Sequence, residues 1–203
     1  MKRLFLMTAA IGLLLTLTSV VKVSANGNDR DDDNQIEAQR IQRGFAIAPV
    51  PLDLQGKNRE LVGLGSYLVN AVAACNDCHT NPPFAPGGNP FVGQPKRFNT
   101  AHYLGGGMAF GPFISRNLTP ENGLPAGRNF DQFVQIMRHG TDFDQLHPQL
   151  PLLQVMPWPV FSKMSDHDIE AIYEYLSAIP CIDNTTSQPP AGAPNELRND
   201  CGN

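Results

Sequence analysis

The chain of 203 residues carries 15 basic and 19 acidic side chains, a formal net charge of −4, and 41 % hydrophobic residues. That length suits one domain with extensions. The apolar content supports a core, and the acidic balance argues against a nucleic-acid partner, which needs a basic face. Glycine and proline, 18 of each, exceed their combined average of about 12 % without any period, so the chain reads as globular with long punctuated loops.

Residues 1–25 read as a signal peptide. Lys2 and Arg3 precede an uncharged apolar run from Leu4 to Val21, and Val23-Ser24-Ala25 offers small residues for cleavage after Ala25. The run also reaches the lower edge of a membrane span, so an uncleaved anchor is the alternative, and a membrane is a partner only in that case. Cleavage removes Lys2, Arg3 and Lys22 and makes the remaining chain more acidic. Export predicts a periplasmic or secreted protein, in a compartment where disulfides persist.

Residues 26–57 form an N-terminal extension. Residues 26–34 are rich in Asn and Asp and are expected to be disordered. A short helix is expected over 35–43, and Pro49 and Pro51 make 46–54 extended. The main domain is expected over 58–180. Its first helix spans 58–74, with Leu61, Leu64, Leu68, Val69 and Val72 at helical spacing. Gly63 and Gly65 weaken that helix, and close approach of another helix is the expected compensation. Prolines and glycines make 81–95 a loop. The Gly-rich stretch 101–117, with Gly105-Gly106-Gly107 at its centre, is either a short hairpin or irregular chain. A second helix is expected over 129–139, stopped by Gly140. The third spans 165–179, capped by Ser165 with Asp168 three residues on and buried along Ile169, Ile172, Tyr173, Leu176 and Ile179. In the tail, 181–203, Cys181 and Cys201 are expected to form a disulfide.

Residues 75–79 read Cys75-Asn76-Asp77-Cys78-His79, the spacing that attaches c-type haem. Two thiols three residues apart lie on one side of a helical turn, where they reach two vinyl groups of one porphyrin edge. The next residue then offers an imidazole to the iron. A thioredoxin-like redox pair needs a βαβ context, and the surrounding pattern is helical. Zinc needs a second ligand pair, and Cys181 and Cys201 are too far along the chain. The expected cofactor is therefore one covalent haem c, bound by Cys75, Cys78 and His79.

The second axial ligand must come from elsewhere. Methionine opposite histidine marks an electron-transfer cytochrome. Met156 is the first candidate, because Pro157 stiffens the strap before the last helix. Met108 sits in a flexible Gly-rich loop, Met137 reads as core, and Met164 reads as a packing residue beside the last cap. His102 and His147 are alternatives in loops, while His139 and His167 read as structural or solvated.

The stretches Gly65-Ser66-Tyr67-Leu68-Val69-Asn70, Ala74-Cys75-Asn76-Asp77-Cys78-His79-Thr80, Met156-Pro157-Trp158 and Asp168-Ile169-Glu170-Ala171 resemble the class I cytochrome c family. Ser115-Arg116-Asn117-Leu118-Thr119-Pro120 is similar to larger bacterial members, some of which are cytochrome c subunits of periplasmic dehydrogenases. The resemblance implies an all-α class I cytochrome c fold, with a long loop-rich insertion between the haem motif and the distal Met and irregular terminal extensions. It implies that the first and last helices cross at Gly65 with Ile172 and Tyr175. The interval from Tyr67 to Cys75 is one residue longer than the family pattern. Such subunits often carry several haems, whereas this chain has one attachment motif. The expected function is an electron carrier rather than an enzyme, with no catalytic residue. Its partners are redox proteins on the dehydrogenase or terminal-oxidase side. A carbonyl near Pro82 or Pro83 is expected to orient His79, and Trp158, Arg116 or Asn117 to bond the propionates. The rival readings are a haem enzyme or gas sensor with an open iron, and a fixed dehydrogenase subunit.

Overall fold

The computed structural model describes residues 28–145, 147–183 and 201. The signal peptide expected over 1–25 lies outside the described residues. The described chain is mostly helical, with two short antiparallel hairpins.

Helix α1, Asn28–Ile47, leads into an extended stretch. It is followed by α2, Arg59–Tyr67, capped by the side chain of Asn58 on the amides of Glu60 and Leu61. The helix continues through a π turn, Leu68–Val72. A π turn closes five residues instead of four and so absorbs one extra residue between Tyr67 and Cys75. Ala74 then turns left-handed (φ 51°), and the chain restarts as α3, Cys75–His79. Farther on are α4, Phe130–His139; α5, Trp158–Phe161; and α6, Asp166–Ala178. The expected Ser165 cap forms as a full capping box with Asp168, and the structure shows a second, Asn129 with Gln132.

The irregular N-terminal extension expected over 26–57 is corrected here. A helix spans Asn28–Ile47, in place of the disorder expected over 26–34 and the short helix expected over 35–43, and the chain beyond it is non-helical up to α2. The side chains of residues 31–40 are all exposed, so the pattern lacks the apolar stripe that signals a helix. The helix is anchored instead by its last turns, where Ile41 and Phe45 pack on the core and Gly44 is buried.

Helix α2 packs between α1 and α6. Gly63 and Gly65 are two residues apart, about 200° around a helix of 3.6 residues per turn, and so face opposite ways. A Cβ on Gly63 would lie 2.6 Å from the Phe45 ring and 2.7 Å from Ile41 on α1. A Cβ on Gly65 would lie 1.9 Å from the Ala171 carbonyl oxygen and 2.7 Å from the Tyr175 Cβ on α6. The compensation thus involves two helices. Tyr175 meets Gly65 as expected, and the nearest atoms of all belong to the Ala171 carbonyl, so at this approach backbone meets backbone.

Around this crossing Val62, Val69, Leu104, Ile169 and Leu176 are buried. A polar network threads the same core. The Ser66 hydroxyl donates to the Gly44 carbonyl at 2.7 Å, and Asn70 Nδ2 donates to Ser66 O at 3.0 Å and to the Tyr175 hydroxyl at 3.2 Å. The Tyr103 hydroxyl donates to Asn70 Oδ1 at 2.6 Å, which leaves Tyr175 to donate to Tyr103 at 2.9 Å. Each buried hydroxyl therefore has a partner, as its desolvation requires.

The stretch 101–117 does contain a hairpin. Strands β1, Ala109–Phe110, and β2, Phe113–Ile114, pair antiparallel, followed by β3, Pro120–Glu121, with β4, Leu124–Pro125. The start of the tail is sewn to this region. Asn117 Nδ2 donates to Ile182 O at 2.9 Å, and Ile182 N donates to Thr119 Oγ1 at 3.0 Å. The Cys181–Cys201 disulfide is present and spans 20 residues. Replacing both cysteines by alanine is expected to cost about 3 kcal/mol by loop entropy, read as a lower denaturant midpoint under oxidising conditions. The reduced wild type should show the same loss.

Candidate functional site

The α3 turn brings Cys75, Cys78 and His79 together. Both thiols are free and half-buried. Burial pushes the Cys75 thiol up to about 12, and burial with the nearby Asp77 charge raises Cys78. Both sulfurs are therefore protonated at neutral pH rather than poised as redox thiolates.

His79 is held at two points by the Gly-rich stretch. Its Nδ1 lies 2.7 Å from the Arg116 carbonyl. A carbonyl only accepts, so Nδ1 carries the proton and the lone pair sits on Nε2. The His79 carbonyl accepts from the Gly106 amide at 2.7 Å. Burial lowers the basicity of the ring, partly offset by the Arg116 bond, so the imidazole is neutral as a metal ligand must be. The orienting carbonyl is therefore that of Arg116. Pro82 and Pro83 have other roles: their carbonyls accept from Asn99 Nδ2 at 3.1 Å and Asn76 Nδ2 at 3.1 Å.

Gly106 makes this seat through close approach. Its φ is 71°, and a Cβ there would lie 2.5 Å from the Arg116 carbonyl carbon and the Asn117 nitrogen. Thr80, the residue after His79, is fully buried, and its hydroxyl accepts from the Leu104 amide at 2.9 Å. Sequence reasoning missed this clamp. The triple glycine was its one visible signal.

Met156 lies on a separate segment before α5, half-buried against the core. Its carbonyl accepts from the Trp158 amide at 2.8 Å. The Trp158 ring lies over Gly140, and its Nε1 donates to Leu153 O at 3.2 Å, bracing the strap from both sides. Of the residues expected at the propionates, Trp158 is thus used in the strap, and Asn117 in an internal turn with Thr119. Arg116 pairs with Asp144. Met137 is buried as core, while Met108 and Met164 are half-buried. Among the histidines, His102 is exposed, His147 packs edge-on to Phe113 at 4.7 Å, His139 is exposed, and His167 lies 3.3 Å from Glu37.

Apolar side chains are exposed on both segments. Val72, shortly before Cys75, is 56 % exposed, and Leu150, Leu152 and Val155 on the Met156 segment are 39 %, 41 % and 42 % exposed. Such surface costs free energy unless something apolar covers it. Two protonated thiols on one turn and a neutral imidazole with its tautomer fixed form a donor set that fits haem.

The chain is similar to cytochrome c subunits of dehydrogenases, as its motifs suggest. It is 32 % identical to the gluconate 2-dehydrogenase cytochrome c subunit of Pantoea cypripedii over 122 residues, 59 % of this chain and 23 % of that relative. It is 28 % identical to the cytochrome c subunit of alcohol dehydrogenase (quinone) from Gluconacetobacter polyoxogenes over 162 residues, 76 % of this chain and 29 % of the relative. The same values hold for the subunit of that name from Komagataeibacter europaeus. The chain thus spans between 23 % and 29 % of the length of these relatives. No protein-family model and no solved structure matches it.

Proposed function

We propose that this chain is a single-haem c-type cytochrome that carries electrons, with a class I domain over 58–180. The observation that supports this most is the α3 turn, where two free thiols precede an imidazole whose Nδ1 is tied to the Arg116 carbonyl. Cys75 and Cys78 would hold the haem by thioether bonds, and His79 and Met156 would be the ligands of its iron. The bound haem supplies a one-electron couple. The chain's own residues do the rest. The Arg116 carbonyl orients the His79 ring and raises its basicity. The strap braced by Trp158 and Gly140 presents the Met156 thioether, a weak ligand that needs a stiff support. Apolar residues on the strap would keep water from the iron. No described helix is long and apolar enough to cross a membrane, which is compatible with export to the periplasm after loss of residues 1–25. The similarity to dehydrogenase subunits supports a dehydrogenase as electron donor.

The test is a spectrum of the purified protein in both redox states. Low-spin haem with a far-red ferric band is expected, and Met156→Ala is expected to abolish that band. A band that survives in Met156→Ala removes the ligand assignment. High-spin haem that takes up carbon monoxide readily supports an open iron and a haem enzyme or sensor instead.

A further inference from the structure

A charge cluster lies beside the seat of His79. One carboxylate oxygen of Asp144 takes Arg116 and the other takes Arg128, with all three side chains between 17 % and 19 % exposed. Arg116 also donates from Nε and Nη2 to the Ala126 carbonyl at 3.3 and 3.1 Å. Its guanidinium is therefore held from two directions, and its own backbone carbonyl is the partner of His79. Arg128 stacks on Phe143 at 5.6 Å, and its carbonyl accepts from the Tyr173 hydroxyl at 3.1 Å. Its Nε is buried without a partner, so Asp144 supplies the main compensation for that charge.

Asp144 belongs to the segment that leads to Met156. A bridge between Thr141 and Leu152 closes that segment. So do the bonds from Asp142 N to Pro151 O at 3.3 Å and from Leu153 N to Gly140 O at 2.8 Å. The carboxylate thus joins two parts of the chain: the stretch that fixes the His79 ring and the strap that carries Met156.

We infer that Asp144 is a positioning residue that couples the seat of His79 to the Met156 strap through its paired contacts with Arg116 and Arg128. This rests on the haem reading of the site. Removing the charge while keeping the shape leaves two guanidinium groups without their shared anion, which costs more than the pair contributes. The Arg116 side chain is then held only by the Ala126 carbonyl, and the strap loses its link to it.

The test is Asp144→Asn in the full chain with haem content measured. It has two readouts: binding of added imidazole to the ferric protein, which competes with Met156, and amide hydrogen exchange. Imidazole is expected to bind about tenfold more tightly in the variant, the low end of the effect of partners that orient a metal ligand. The Gly106 amide, bonded to the His79 carbonyl, is expected to exchange about tenfold faster while Leu176 in α6 is unchanged. Glu37→Gln, which alters the exposed pair with His167, should move neither readout. Imidazole affinity equal to wild type in haem-loaded protein overturns the coupling. Equal acceleration at Gly106 and Leu176 also overturns it, because that is a general loss of stability. A chain that carries no haem sinks the haem reading itself, and the exchange rates then decide the link between Asp144 and the His79 seat on their own.

Discussion

Gly65→Ala is expected to destabilise the protein by about 3 kcal/mol, the upper end of the usual range for overpacking. The added methyl group would sit 1.9 Å from the Ala171 carbonyl oxygen and 2.6 Å from its carbonyl carbon. Both obstacles are backbone, so no side-chain rotation relieves them, and α2 and α6 must separate. That crossing holds Tyr175 and Asn70, whose bonds to Tyr103 would be stretched as well. Urea unfolding monitored by far-ultraviolet circular dichroism measures the effect. A midpoint within error of wild type would show that the helices do not approach as closely as described. Gly93→Ala is the contrast: nothing lies within 4 Å of its Cβ position, so only the left-handed backbone (φ 80°) is penalised, by about 1 kcal/mol.

Gly106→Ala is expected to cost a similar total, about 3 kcal/mol, and to damage the site directly. About 1 kcal/mol comes from a Cβ in the left-handed region. The rest comes from contacts at 2.5 Å with the Arg116 carbonyl carbon and the Asn117 nitrogen. Displacing Arg116 moves the acceptor of the His79 Nδ1 proton, and Gly106 itself donates to the His79 carbonyl. The Nδ1 proton resonance of His79 should therefore shift or broaden in the variant. In Gly93→Ala it should stay where it is in the wild type. An unchanged resonance in Gly106→Ala would mean that the ring is held by something other than this clamp.

The legible parts of the fold were those written in short-range spacing. Ser165 and Asp168 sit three residues apart, and their capping box follows from local geometry. Pairing of Cys181 with Cys201 followed from export and elimination, and the bond is present. Helix α1 was under-read because residues 31–40 have no buried face; its anchor is three residues, Ile41, Gly44 and Phe45, that pack on a distant element. The π turn at Leu68–Val72 has no signature in the side-chain pattern, which reads as one continuous helix over 58–74.

By itself the sequence determined the chemistry carried by adjacent residues. Cys75, Cys78 and His79 lie on one turn because helical geometry places them there, and their spacing names the group they fit. Tertiary structure alone decided which atoms meet that turn: the Arg116 carbonyl on His79 Nδ1, the Gly106 amide on the His79 carbonyl, and Asp144 on the Arg116 side chain. The physical reason lies in what carries the information. A backbone carbonyl or amide is the same in every residue, so nothing in the side-chain order reveals which one will reach His79. Only the packing of α2 against α6 and the crossing at Gly106 bring these distant atoms within hydrogen-bond range.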